Sequence, residues 1–145
     1  MILKGRVIKG MGKARIFVNM MEKSFFEKTN MQLYPGTLNI ELENEYDLNI
    51  DYLIKPEEYG GTFNVQIQKC EVLGNLAYMV RSEKNTKDNG DYNKNIIEIV
   101  SNINFREKYN LKDRDKIDVI IKWIIRCVGA TIGRPFFNYL WKIVL

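Results

Sequence analysis

Histidine is absent from this chain of 145 residues. Without an imidazole, the chain has no means of building a Ser-His or Cys-His nucleophile pair, or a metal site with histidine ligands. These classes of chemistry are excluded. Any bound metal is expected to be a hard cation on oxygen ligands, such as Mg²⁺.

Cysteine and long hydrophobic runs are scarce as well. Cys70 and Cys127 form no C-x-x-C pair, which predicts two reduced residues rather than a disulfide or a metal site. The first ten residues contain no apolar core of a signal peptide. Uncharged stretches near the C-terminus, residues 127–133 and 135–141, are far shorter than the roughly 20 residues of a membrane-spanning helix. We therefore expect a cytoplasmic protein without a transmembrane segment.

The composition is that of an ordinary soluble domain, with 46% hydrophobic and 28% charged residues. The length fits one domain with a substantial core. A formal net charge of +4 suits an anionic partner, such as a nucleotide, a nucleic acid or a membrane surface, without selecting among them.

Short stretches of alternating apolar and polar residues run through the chain and predict strands. The candidate strands are residues 2–8, 15–20, 37–42, 62–72, 76–81, 96–100 and 117–121. Residues 85–95 are polar and contain glycine, which predicts a mobile loop. A short helix is expected at residues 104–109, begun by Asn102 or Asn104. Many short strands with one or two short helices favour an all-β fold, a small β-barrel.

A glycine-rich loop, GMGKAR, lies between the first two candidate strands. Its two glycines let the backbone approach phosphates, and Lys13 and Arg15 supply positive charge. The loop matches neither the P-loop, because Ala14 follows Lys13, nor the dinucleotide fingerprint, because Arg15 stands where the third glycine belongs. Taken alone, it is better explained as a plain hairpin turn.

The stretch YPGTLNI opens the third candidate strand with a Pro-Gly turn. Thr37 and Asn39 are two residues apart, so their side chains share one face of the strand, roughly 7 Å from each other. Strand preference and turn chemistry explain both residues without any function. The functional alternative is that the two neutral oxygens hold a Mg²⁺ whose remaining ligands are waters and substrate phosphates.

Glu98 stands among four apolar residues in the run IIEIV. The default interpretation is a side chain that faces solvent from a half-buried strand. If it faces a cavity instead, it is a candidate general base or a ligand for a substrate hydroxyl.

Together, three stretches resemble the archaeal CTP-dependent riboflavin kinases: GMGKARIF, YPGTLNI and the long block IIEIVSNINFREKYNLKDRDKIDVII. The resemblance runs in order from about residue 2 to about residue 122. It implies a small six-stranded cradle-loop β-barrel that transfers phosphate from CTP to the 5′-hydroxyl of riboflavin, giving FMN and CDP. The partners so implied are riboflavin, FMN, CTP and CDP.

The resemblance also implies roles for individual residues. The family's magnesium ligands correspond to Thr37 and Asn39. The family's flavin-contacting glutamate corresponds to Glu98, which would orient the acceptor hydroxyl or take its proton. The nucleotide-binding residues correspond to Gly10, Met11, Gly12, Lys13, Ala14 and Arg15, and to a second segment of Ile103, Asn104, Phe105 and Arg106.

Several positions depart from the family pattern. Ala14 replaces a usual glycine, and Arg114 stands where the family prefers glycine. The family has a flavin-contacting threonine eight residues before its glutamate, and Gly90 occupies that position here. Thr86 takes the threonine's flavin-binding place only if the alignment contains a gap.

Beyond the matched barrel of residues 1–122, the chain continues with an apolar extension, residues 123–145. Pro135 suits the first turn of a helix, on which one apolar stripe would form from Phe137, Leu140, Trp141 and Val144. We expect this C-terminal helical extension to pack on its own barrel or on a sister subunit. Contact with a membrane surface through its aromatic residues is the alternative.

Two rival functions remain open at this level. The same barrel could phosphorylate another small hydroxyl compound, an alternative prompted by Gly90. A non-catalytic module that binds nucleotides or nucleic acid is the second, since cradle-loop barrels are related to folds that bind DNA. Nucleic acid is not the expected partner, because no cluster of Lys and Arg concentrates the charge and the Thr-x-Asn pair would have no use.

Overall fold

The computed structural model describes residues 1–86 and 93–122. Gly90, Cys127 and the predicted extension, residues 123–145, lie outside the described residues. The described chain forms seven strands: β1 (Ile2–Ile8), β2 (Leu38–Leu42), β3 (Tyr52–Ile54), β4 (Val65–Val72), β5 (Asn75–Ser82), β6 (Ile96–Val100) and β7 (Lys116–Ile120). It also forms four helices: α1 (Ala14–Thr29), α2 (Pro56–Tyr59), α3 (Glu83–Thr86) and α4 (Phe105–Tyr109).

Six of the strands close into a barrel. The sheet order is β3-β4-β5-β6-β2-β1-β7, and β7 pairs back onto β4 through Glu71 opposite Ile120 and Val72 opposite Val119. Every pairing is antiparallel, and β3 is added outside the ring on the free edge of β4. The predicted small all-β barrel of six strands is confirmed.

The barrel interior is filled by the apolar residues of the alternating strand patterns. Val7, Ile40, Ile97 and Ile99 are at most 1% exposed and belong to one continuous core cluster. Burying each such side chain stabilises the fold by about 1.5–3 kcal/mol relative to leaving it in water. At Gly5 the strands β1 and β2 approach so closely that a Cβ would lie 2.5 Å from the carbonyl oxygen of Glu41. Glycine is therefore required there.

Helix α1 corrects the prediction of a strand at residues 15–20. The alternation of Ile16, Val18 and Met20 resembles a strand, but Ile16 and Met20 are exposed and only Val18 is buried. Over the whole segment the buried positions are Val18, Met21, Ser24 and Phe25, which is the spacing of one helix face. The prediction was wrong because a window of six residues is too short to distinguish the periodicity of a strand from that of a helix.

The outer face of the barrel carries a second core beneath α1. Phe25 packs edge-on against Tyr78 of β5, with ring centroids 5.1 Å apart, and Val18 and Met21 extend the same cluster toward β4. Burial of this face anchors α1, so that its N-terminus is held where β1 ends. The helical content exceeds the one or two short helices expected, and β3 and α2 were not predicted.

The remaining elements agree in part with the predictions. The strand predicted at residues 96–100 is β6, and the helix predicted at residues 104–109 is α4, which begins after Asn104. Of the loop predicted at residues 85–95, the first two residues belong to α3, and residues 87–92 lie outside the description. Among the helices of the described ranges, none has both the length and the apolar character needed to cross a membrane.

Candidate functional site

A cavity of about 410 Å³ opens at one end of the barrel and is called the cleft below. It lies where β1 ends, where β2 begins and where β6 leads into α4. Its lining includes ten of the predicted site residues: Gly10, Gly12, Ala14, Arg15, Thr37, Asn39, Ile103, Asn104, Phe105 and Arg106. Met11 and Lys13, although in the same loop, are not among the lining residues. The cleft thus unites segments that are distant in sequence.

The glycine-rich loop connects β1 to α1 and is not the turn of a hairpin, so that interpretation was wrong. Gly12 has a φ of +80° with open space around its Cα, a conformation that favours glycine. Lys13 is the N-cap residue of α1, and its side chain makes no capping hydrogen bond. The first turn of a helix presents N–H groups without partners in the helix, together with the positive end of the helix dipole. The loop and helix start therefore suit an anion.

Thr37 and Asn39 lie side by side at the start of β2. The Thr37 hydroxyl donates a hydrogen bond to Oδ1 of Asn39 across 3.2 Å. Asn39 is 4% exposed, whereas Thr37 is half-buried. The sequence prediction that the two side chains share a face is consistent with this contact, and both line the cleft.

The oxygen pair fits the needs of a small hard cation. Neighbouring ligands of an octahedral Mg²⁺, each about 2.0–2.1 Å from the metal, lie roughly 2.9 Å from one another. The oxygens of Thr37 and Asn39, 3.2 Å apart, need little movement to reach that spacing. Within residues 1–86 and 93–122, no group of three or more Cys, Asp and Glu side chains could hold a metal. The neutral pair is a candidate metal site by its spacing.

The start of α4 forms the far wall of the cleft. Asn104 caps the helix, because its Oδ1 accepts a hydrogen bond from the backbone N–H of Glu107 at 3.2 Å. Phe105 is 3% exposed and packs into the barrel core. Arg106 donates to the carbonyl oxygen of Ile8 at 2.9 Å and to the carboxylate of Asp113 at 2.7 Å. Its guanidinium therefore joins α4 to the end of β1.

Tyr34 is a lining residue that the sequence analysis did not single out, although it begins YPGTLNI. Its hydroxyl accepts a hydrogen bond from Nδ2 of Asn104 at 3.0 Å. Its backbone N–H donates to the carbonyl of Ser101 at 2.8 Å, and its own carbonyl accepts from Gly36 at 2.8 Å. Lys9 and Ser101 are further lining residues without a motif to indicate them.

Glu98 lies next to the cleft and is not among its lining residues. It occupies β6, directly opposite Asn39 on β2 and Val80 on β5. Opposed residues of neighbouring strands point to the same face, and here that face is the outer one, because Val80 belongs to the cluster under α1. Glu98 is half-buried. Thr86 is the last residue of α3 and is followed by residues 87–92, which lie outside the description. Its flavin-binding role beside Glu98 stays a prediction.

Cys70 is a free thiol inside the barrel and takes no part in the cleft. Burial raises the pKa of this thiol to about 12. The thiol is therefore protonated and unreactive at neutral pH, which agrees with the prediction of a reduced residue.

Comparison with known proteins gives a family and several relatives. The family model CTP-dep_RFKase, described as "Domain of unknown function DUF120", matches residues 7–121. A riboflavin kinase of Staphylothermus marinus is 29% identical over 122 residues, which cover 82% of this chain and 90% of that protein. A riboflavin kinase of Methanosphaera stadtmanae is 33% identical over 132 residues, with coverage of 82% and 96%. A riboflavin kinase of Methanosarcina barkeri is 32% identical over 130 residues, and the chain spans only 56% of its length.

Proposed function

Because this chain belongs to the CTP-dependent riboflavin kinase family, we propose that it transfers phosphate from CTP to the 5′-hydroxyl of riboflavin, giving FMN and CDP. One observation carries the proposal beyond family membership. A single cleft joins the glycine-rich loop, the Thr37–Asn39 pair and the start of α4. A nucleoside triphosphate needs these three features together: an anion site, a metal site and a pocket for the base.

The phosphates of CTP lie against the glycine-rich loop and the start of α1 in this proposal. Backbone N–H groups of the helix start and the helix dipole attract the negative charge. Lys9 and Arg15, both exposed and both lining the cleft, add two cations at the same end. Catalysis of phosphoryl transfer then depends mainly on positioning and electrostatics.

Thr37 and Asn39 hold Mg²⁺ through their side-chain oxygens. When bound, the metal offsets the charge of the phosphates and of the group in transfer. Neutral ligands are suitable because the phosphates themselves supply the negative charge. Asn39 is fixed within β2 by its pairing with Ile8 and Glu98, which gives its carboxamide a rigid support.

Glu98 orients the riboflavin 5′-hydroxyl and accepts its proton as the hydroxyl oxygen attacks the γ-phosphorus. The bond from the γ-phosphorus to the β–γ bridging oxygen breaks, and CDP leaves with the electron pair. The pairing of Glu98 with Asn39 supports this role, because directly opposed Cβ atoms lie about 4.5–5.5 Å apart. Thr86 is a second candidate contact for the flavin.

A transfer assay with Mg²⁺ tests the proposal by comparing CTP with ATP and riboflavin with no acceptor. We expect FMN formation that requires CTP, riboflavin and Mg²⁺. CTP binding without FMN formation would overturn the assignment of riboflavin as the acceptor. Other hydroxyl compounds would then be tested as acceptors. Absence of CTP binding would overturn the nucleotide assignment, and the rival nucleic-acid module would then predict a gel shift that weakens steeply with salt.

A further inference from the structure

Tyr34 separates two cavities. Among the residues that the structure describes, it alone lines both the cleft and a neighbouring groove of about 530 Å³. The groove runs beside residues 29–33 and is bordered by Leu76 and Asn102. Ser101 lines the cleft, whereas the next residue, Asn102, lines the groove. The boundary between the two cavities thus passes through Tyr34 and the backbone it pairs with.

The Tyr34 side chain has one contact at its hydroxyl and another on its ring. Its hydroxyl accepts the 3.0 Å hydrogen bond from Asn104, which is itself fixed as the cap of α4. A Cβ at position 36 would lie 3.1 Å from a ring carbon of Tyr34, so Gly36 permits the ring to pack closely on the turn. The hydroxyl bond and the packing on the turn therefore hold the ring as a wall of the cleft.

The cleft has a cationic side and a neutral side. Lys9 and Arg15 lie where β1 ends and α1 begins, and Arg106 reaches the same place through its bond to the Ile8 carbonyl. Where β6 ends and α4 begins, the lining residues Ser101, Ile103 and Asn104 are neutral. Tyr34, from the turn before β2, is also neutral and contacts this segment through its hydrogen bonds with Ser101 and Asn104. A triphosphate requires the cations, whereas a base is flat and neutral and suits the other side. The base therefore belongs beside Tyr34.

We propose that the Tyr34 side chain determines nucleotide specificity by limiting the cleft to a base with one ring. A pyrimidine fits in front of the wall, and the second ring of a purine would overlap the space that the tyrosine occupies. This inference rests on the proposed use of CTP. The backbone bond from Tyr34 to Ser101 does not involve the side chain, so truncation opens the cleft toward the groove while that link is kept.

The test compares the wild type with Tyr34→Ala, Tyr34→Leu and the matched control Tyr34→Phe. For each protein, kcat/KM is measured with CTP and with ATP, and CDP and ADP binding is measured by calorimetry. We expect the two truncations to raise the ratio of kcat/KM for ATP to kcat/KM for CTP about tenfold or more. This is the scale on which pocket size discriminates between substrates. Tyr34→Phe keeps the ring and should leave the ratio within about threefold.

Two outcomes are decisive against the inference. Truncated variants that fold, as judged by circular dichroism, and yet lose CTP and ATP use equally would overturn it, because the ratio would not have moved. A wild type that discriminates poorly between CDP and ADP would overturn it as well. Tyr34→Leu decides the matter if Tyr34→Ala does not fold. Failure of the proposed function is distinguishable, because it appears in the wild type as absent CTP-dependent transfer.

Discussion

Asn39 of β2 and Glu98 of β6 are directly opposed across one strand pairing, on the outer face of the barrel. The proposed metal ligand and the proposed acceptor ligand are thus one strand spacing apart, although 58 intervening residues separate them in the sequence. Because both side chains rise from paired strands, their separation is set by the sheet and not by a loop. Such rigidity suits a reaction that depends on aligning donor and acceptor.

Removing either oxygen of the metal pair should impair magnesium-dependent turnover. We expect Thr37→Ala and Asn39→Ala to weaken Mg²⁺ binding at least about tenfold, as seen in the Mg²⁺ concentration that gives half-maximal activity. The variants should still fold, because each loses one hydrogen bond worth about 1 kcal/mol. Circular dichroism checks the fold.

The chain offers a matched control for this pair. Thr62 and Asn64 repeat the same G-T-x-N pattern in GTFNV and do not line the cleft. Thr62 is exposed, so Thr62→Ala should leave both activity and Mg²⁺ dependence unchanged. Full activity in Thr37→Ala and Asn39→Ala would refute the metal assignment.

Replacing Glu98 with glutamine tests its role toward the acceptor. Glutamine keeps the size of the side chain but does not accept a proton, so kcat should fall about 10²–10⁴-fold. The KM for CTP should stay close to that of the wild type, because Glu98 does not line the cleft. Steady-state kinetics with each substrate varied in turn separates the two effects. An unchanged kcat would show that Glu98 is no more than a structural residue of β6.

Local patterns explain which parts of this molecule the sequence could predict. The run IIEIV is confined to one strand, and Asn104 caps the helix that follows it, so β6 and α4 were predicted nearly residue for residue. Helix α1 was missed because residues 15–20 alternate like a strand. Its helical character depends on Met21 and Phe25, which lie beyond that window and are buried only against the barrel.

The candidate site was predictable in its motifs and not in its assembly. The contact of Thr37 with Asn39 joins residues two positions apart, which strand geometry alone suggests. By contrast, Tyr34 meets Asn104 across 70 positions of sequence. No local pattern marks such a residue, since its role arises only when the turn before β2 and the start of α4 are brought together by the barrel.

Arg81 should be a strong determinant of stability. It is 3% exposed, and its guanidinium donates to the carbonyl oxygens of Tyr46, Lys94 and Ile96, the last of which begins β6. Burial lowers the pKa of Arg81 from its ordinary value. Arg81→Met would remove these part-buried hydrogen bonds, and only the Lys94 carbonyl is known to keep another donor, the backbone N–H of Tyr46. We expect a loss of about 2 kcal/mol or more in the free energy of unfolding.

Denaturant unfolding measures the effect, and Arg6→Met is the matched control. Arg6 also donates to a main-chain carbonyl, that of Arg114 at 3.0 Å, but this bond is exposed. Its loss should change stability by less than about 0.5 kcal/mol. Equal losses of unfolding free energy in Arg81→Met and Arg6→Met would contradict the claim that the Arg81 hydrogen bonds stabilise the protein because they are buried.

Glu58 should make stability depend on pH in the acid range. The hydrogen bond from the backbone N–H of Lys55, at 2.7 Å, and the ion pair with Lys28, at 2.9 Å, lower the pKa of this carboxyl from 4.5 to about 2. A folded-state pKa below the unfolded value means that the stabilisation is present above about pH 4.5 and is lost as pH falls toward about 2. The melting temperature of the wild type should exceed that of Glu58→Gln at pH 6.

The difference in melting temperature between the wild type and Glu58→Gln should shrink steadily as the pH is lowered from 4.5 to 2. Protonation of Glu58 removes from the wild type the same charge that the substitution has already removed. Glu57→Gln removes a neighbouring carboxylate in the same turn of α2 and is the matched control, measured over the same pH range. Glu58 also accepts a hydrogen bond from Ser24 of α1, so it fastens the helix whose start faces the cleft. A melting-temperature difference between the wild type and Glu58→Gln that does not change with pH would mean that the Glu58 side chain contributes packing alone and no charge interaction.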